Sequence, residues 1–194
     1  MRANSKRCLR AAILGTALTC SALSVTSALA DTTRPNVVIL YFDDMGYSDF
    51  GLNDQSQTSL TPRLDALAAE GMNFTQAYST DAVCTPSRYS LITGRYSWRT
   101  DLKTGVTNAY SAPVMDEDRF TIGHMLQSQG YYTAAIGKWH LGMQFHNHAG
   151  NPVNLGGSRV LFDNPNNDLI DFSQPLSRTP TSNGFDYYLS LIHI

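Results

Sequence analysis

The run Asn36-Val37-Val38-Ile39-Leu40-Tyr41-Phe42 constrains the fold more than any other segment. It is apolar and β-branched without polar alternation, the pattern of a strand buried on both faces of a parallel sheet. It ends abruptly at Asp43-Asp44. Downstream the apolar period becomes helical. Thr61-Pro62 opens a helix through Leu64, Leu67 and Ala68 to Glu70, and Gly71 stops it. Residues 72–78 read as a short second strand. A helix starts at Cys84, with Pro86 in its first turn and Tyr89, Leu91 and Ile92 to bury. Thr121 is the expected N-cap of another helix, with Ile122, Met125 and Leu126 on one face and Gly130 closing it. Residues 131–136 return as a strand, and 184–189 begin one more. This alternation predicts an α/β fold, a largely parallel central sheet flanked by helices. Ligand-facing loops of such a sheet gather at the strand C-ends. Asp43-Asp44 and Gly137-Lys138-Trp139-His140 therefore fall on one edge. From Gly142 to Ser182 the texture turns to Asn, Gly, Pro and Ser, which reads as a long surface excursion.

The N-terminus has its own grammar. Arg2, Lys6, Arg7 and Arg10 precede an apolar, small-residue stretch from Ala11 to Leu29, and Ala28-Leu29-Ala30 suits signal peptidase. Residues 1–30 are expected to be a signal peptide, residues 31–194 the mature domain, and the destination periplasmic or extracellular. Thr16, Thr19, Ser21, Ser24, Thr26 and Ser27 make the segment too polar for a stable membrane anchor. Cys8 and Cys20 leave with the leader, so Cys84 is the sole thiol of the exported chain, and an internal disulfide is excluded. A formal net charge of −2 with no basic run beyond the leader argues against nucleic acid as a partner.

The stretch Ala82-Val83-Cys84-Thr85-Pro86-Ser87-Arg88-Tyr89-Ser90-Leu91-Ile92-Thr93-Gly94 places that thiol at a helix start, where free N–H groups and the helix dipole favour an anion. Read alone, it is also compatible with a buried structural cysteine. Throughout its length, however, the stretch resembles the first signature of the type I sulfatases. Gly130-Tyr131-Tyr132-Thr133-Ala134-Ala135-Ile136-Gly137-Lys138-Trp139-His140 resembles their second signature, and Asp43-Asp44-Met45-Gly46 their N-terminal metal-binding segment. The resemblance implies the alkaline-phosphatase-like sulfatase fold. It also implies that Cys84 is oxidised to formylglycine by dedicated generating machinery, a partner of the newly made chain.

Adjacent carboxylates at the end of a buried strand repel unless cations neutralise them. Asp43 and Asp44 alone more often cap a helix or make a solvated turn. With the resemblance they become ligands, together with residue 84, of a hard divalent cation, calcium first and magnesium second. Lys138 is expected on a sulfate oxygen and His140 as the proton-transfer group. Arg88, one helical turn after Cys84, shares its face and balances charge. Arg95 is expected to hold its loop, His124 to be structural or exposed, and His146 and His148 to be solvated.

The function implied is hydrolysis of a sulfate monoester carried by a small molecule or a glycan. Two alternatives stand beside it: a phosphate or phosphonate monoesterase of the same superfamily, and a non-catalytic anion- or glycan-binding protein. The resemblance covers the N-terminal part of the family's catalytic domain and stops before its later metal ligands and leaving-group Lys and His. Residues 31–194 are thus expected to be a truncated domain, incomplete at the C-terminus and inactive by itself.

Overall fold

A computed structural model describes residues 34–53, 60–155 and 169–189. The expected leader and the turn signals at Gly156-Gly157 and Asn164-Pro165 lie outside the described residues. The chain divides into two units, Met1–Tyr41 and Phe42–Ile194.

In the first unit the described residues correct one expectation. Residues 36–41 form no ladder, and Val37, Val38, Ile39 and Leu40 are exposed. A strand exists only through its neighbours' hydrogen bonds, however apolar its side chains. Residues 72–78 are a second correction: they form no strand, and Met72, Phe74 and Tyr78 stand in solvent.

Among the described residues the second unit carries three α-helices and four short strands. Helix α1, Pro62–Glu70, starts on proline, whose missing N–H costs nothing in a first turn, and ends where Gly71 N–H bonds Ala68 O at 3.2 Å. Helix α2, Cys84–Thr93, ends on Gly94 in the left-handed conformation, φ 67°. Its buried face is largely polar: Thr85, Pro86, Ser87, Tyr89 and Ser90. Leu91, expected inside, is exposed because it lies two residues, about 200° of helix, from Tyr89. Helix α3, Ile122–Ser128, is capped by Thr121, whose hydroxyl accepts the His124 N–H at 3.2 Å.

Strands β1 (Ala134–Ile136) and β4 (Tyr187–Leu189) pair in parallel, Ala135 opposite Tyr188. The ladder starts later than the sequence predicts. Asp186 Oδ2 takes the Thr133 N–H at 2.8 Å, and the Thr133 hydroxyl is turned to Gly184 O. Strands β2 (Phe145–His146) and β3 (Pro152–Val153) form an antiparallel hairpin. Its turn is built by Asn147, whose side-chain oxygen accepts from Ala149 and Asn151 N–H, both at 3.0 Å.

The core gathers Tyr89, Met115, Trp139, Leu141, Met143, Phe145 and Ile170. Three of these, Met143, Phe145 and Ile170, fall in the segment expected to be a surface excursion. Met143 and Phe145 lie two residues apart on one face, and Leu141 joins them in the core across a left-handed Gly142. Gly142 has φ 76°, and a Cβ there would collide with the Ala112 carbonyl. That close approach brings residues 111–114 against 141–143, through Val114 N–H to Leu141 O at 3.0 Å and Met143 N–H to Ser111 O at 3.2 Å. Among the described residues no helix is long and apolar enough to cross a membrane.

Candidate active site

Two elements aim the chemistry at one place. The N-terminus of α2 carries Cys84 with Arg88 a turn later, and the C-end of β1 runs into Gly137-Lys138-Trp139-His140. Gly137, at φ 101°, donates the last ladder hydrogen bond to Leu189 O at 2.8 Å and turns the chain out of the sheet. Trp139 and Leu141 then anchor the segment in the core.

Lys138 projects from this turn to Asp43. Its ammonium donates to Asp43 Oδ2 at 2.6 Å and to Cys84 Sγ at 3.2 Å. The thiol faces Asp43 Oδ1 at 3.6 Å. Arg88 donates to the Lys138 carbonyl at 2.6 Å, and its other terminal nitrogen lies 3.5 Å from Asp43 Oδ2. Three segments far apart in sequence thus meet at one carboxylate. The Lys138 hydrogen bond is the largest cause holding the Asp43 carboxyl below its ordinary 3.8, and the same bond raises the Lys138 ammonium above 10.5.

The remaining predicted residues are placed differently. Asp44 follows in left-handed backbone at φ 57° and is exposed; among the described residues its carboxylate stays outside this contact ring. His140 is buried, also with φ 55°, and its Nε2 lies 2.6 Å from the Thr107 carbonyl. Its Nδ1 is buried without a hydrogen-bond partner. Burial lowers its pKa from 6.5 against the opposing Thr107 bond, and the charges of Lys138 and Arg88 lower it further. The imidazole is therefore neutral at neutral pH.

Sequence reasoning missed Thr85 and Thr107. Both hydroxyls donate to the His140 carbonyl, at 2.8 and 3.0 Å. Thr85 had a weak signal, a hydroxyl beside the thiol in the first helical turn; Thr107 had none, since it sits in an irregular stretch. The Asp116 carboxyl is lowered first by its hydrogen bond from Arg119, with the charges of Arg95 and Arg178 adding to it. His124 bonds the Thr121 hydroxyl, while exposed His148 lies 3.5 Å from Asp171. His148 is exposed as the sequence suggests, whereas His146, expected in a solvated loop, is half-buried in β2 opposite Pro152.

The fit to a divalent cation is incomplete. Among the described residues no three His, Cys, Asp or Glu side chains gather as a metal cluster. Asp43 Oδ2 already carries the Lys138 ammonium, and two carboxylates fall short of the six or more oxygens a calcium ion takes. Lys138 and Arg88 bring positive charge to Asp43, at 2.6 and 3.5 Å from Oδ2.

The α/β chain sets a thiol at a helix head, beside a strand-end lysine and a carboxylate. Residues 35–190 match the Sulfatase family model, and the chain belongs to that family. It is 40% identical over 113 residues to an N-acetylgalactosamine-6-O-sulfatase of Bacteroides thetaiotaomicron, a match covering 58% of this chain and 22% of that one. It is 41% identical over 121 residues to arylsulfatase A of Bos taurus, covering 62% of this chain and 24% of that one. A solved structure from work on glycosaminoglycan metabolism by Bacteroides thetaiotaomicron superposes with TM-score 0.59 at 34% identity, over 77% of this chain and 26% of that one. A second, called Ps i-CgsB, gives TM-score 0.53 at 30% identity, over 76% and 26%. The fold is thus that of the sulfatases. The chain spans about a quarter of the length of the relatives it matches.

Proposed function

We propose that this site hydrolyses sulfate monoesters, with Cys84, matured to formylglycine, as the nucleophilic residue. The observation that carries the reading is Lys138 Nζ, 3.2 Å from Cys84 Sγ and 2.6 Å from Asp43. It puts a fixed positive charge next to the position from which the attack starts. Relatives named for sulfated N-acetylgalactosamine and aryl substrates support a sulfated glycan or small molecule as substrate.

Hydrated formylglycine, once formed, would supply one hydroxyl to attack sulfur with displacement of the ester alcohol, and a second whose deprotonation would expel sulfate and restore the aldehyde. The protein's own groups do the rest. Lys138 and Arg88 neutralise the sulfuryl oxygens, and as preorganised charges they strengthen as negative charge grows in the transition state. Asp43 orients Lys138. His140, neutral and with Nδ1 bare, accepts the proton that must leave the second hydroxyl. A divalent cation, calcium before magnesium, suits the Asp43-Asp44 pair by charge. Its remaining ligands have to come from outside the described residues, and no step here runs through it. Export by residues 1–30 belongs to the same reading, on their basic start, apolar stretch and Ala28-Leu29-Ala30.

Mass spectrometry of the Cys84 peptide from protein made in its native host, together with rates on nitrophenyl sulfate and nitrophenyl phosphate, tests the reading. An aldehyde at residue 84 and faster sulfate hydrolysis are expected. An unmodified thiol favours a binding protein, and faster phosphate hydrolysis a phosphomonoesterase.

A further inference from the structure

His140 holds a backbone conformation that a side chain rarely adopts, φ 55°, and something must keep it there. The holding bonds are countable. Thr85 Oγ1 and Thr107 Oγ1 both donate to the His140 carbonyl, at 2.8 and 3.0 Å, using the single hydrogen of each hydroxyl. Thr85 Oγ1 in turn accepts the Thr107 N–H at 3.1 Å. All three residues are at least nine-tenths buried, at 0%, 6% and 7% relative exposure, so water does not compete for these bonds. The ring joins the same knot through Nε2 and the Thr107 carbonyl at 2.6 Å. A carbonyl only accepts, so Nε2 carries the hydrogen. Nδ1 is left as the bare lone pair, buried and without a hydrogen-bond partner.

We propose that Thr107 is a positioning residue for this site: its carbonyl fixes His140 as the Nε2–H tautomer, and its hydroxyl, with that of Thr85, holds the left-handed turn that keeps Nδ1 the proton acceptor. The catalytic consequence rests on the sulfatase reading; the tautomer does not. Among the described residues Thr107 hydrogen-bonds His140 and Thr85, and neither the thiol nor the lysine.

The test reads the tautomer without turnover. The chain is labelled with 15N-histidine, and two-bond 1H–15N correlations are recorded above neutral pH; His140 is assigned by its loss in His140→Gln. The wild-type ring is expected as Nε2–H. Thr107→Val removes one of the two hydroxyl donors and is expected to lower the ratio of Nε2–H to Nδ1–H by about tenfold, the worth of one buried hydrogen bond. Thr107→Ser restores it. An Nδ1–H ring in the wild type, or a Thr107→Val spectrum matching wild type, overturns the proposal. If Thr107→Val does not fold, the wild-type tautomer and the Thr107→Ser spectrum decide. In matured protein, a fall in kcat at unchanged KM in Thr107→Val, recovered in Thr107→Ser, separates positioning from substrate binding. A chain with the Nε2–H ring and no sulfatase turnover leaves this inference standing and removes the proposed function alone.

Discussion

Lys138 Nζ meets Asp43 Oδ2 at 2.6 Å across 95 residues of sequence, and this ion pair sets the electrostatics of the site. Asp43 is lowered from 3.8 chiefly by that hydrogen bond, so its contribution to stability is full above the unfolded value and is lost as pH falls through the lower folded one. Lys138 is raised from 10.5, so its contribution is full below that value and is lost only as pH rises through the higher folded one. Lys138→Met is therefore expected to flatten the decline of the urea midpoint as pH falls below the ordinary carboxylate value of 3.8. An unchanged acid limb would remove the pair from the stability account.

In protein carrying formylglycine, Lys138→Ala is expected to reduce kcat on nitrophenyl sulfate by about 10² to 10³, the usual cost of one preorganised charge donor. Cys84→Ser keeps the fold, because the thiol is at the rim of α2 and not in the core, and is expected to abolish turnover by about 10³ or more. Steady-state kinetics beside circular dichroism separates lost chemistry from lost structure.

His140 is lowered from 6.5 first by burial. The neutral ring contributes stability in full above that value, and the contribution is lost as pH falls through the lower folded pKa. The NMR titration of His140 is expected to have its midpoint below those of exposed histidines. A midpoint at or above theirs would show a ring open to solvent.

Thr85→Val leaves the His140 carbonyl with one hydroxyl donor and the Thr107 N–H with no side-chain acceptor. In this buried setting the expected loss is about 1–3 kcal/mol, read from urea unfolding.

Gly142→Ala tests the hinge between the site and the core. The left-handed φ of 76° and the Ala112 carbonyl in the path of a Cβ predict a loss of about 1–3 kcal/mol. A variant as stable as wild type would show that residues 111–114 shift without cost.

The amino-acid sequence by itself determined the local elements and the identity of the reactive groups. Helix α1 runs from Pro62 to its stop at Gly71, and α3 starts after Thr121, as read from the sequence, because caps act within a single turn. Cys84 and Arg88 share a face because helical period alone puts them there. Tertiary structure decided the rest. Residues 36–41 have a strand's composition and no ladder, since pairing is a property of neighbours. The alternation of Leu141, Met143 and Phe145 was visible within a Gly- and Asn-rich stretch, yet only packing against Tyr89 and Trp139 made it core. Nothing local announced Thr107, because its partners are 22 and 33 residues away. Contacts of that range depend on how the chain closes, which no window of sequence contains.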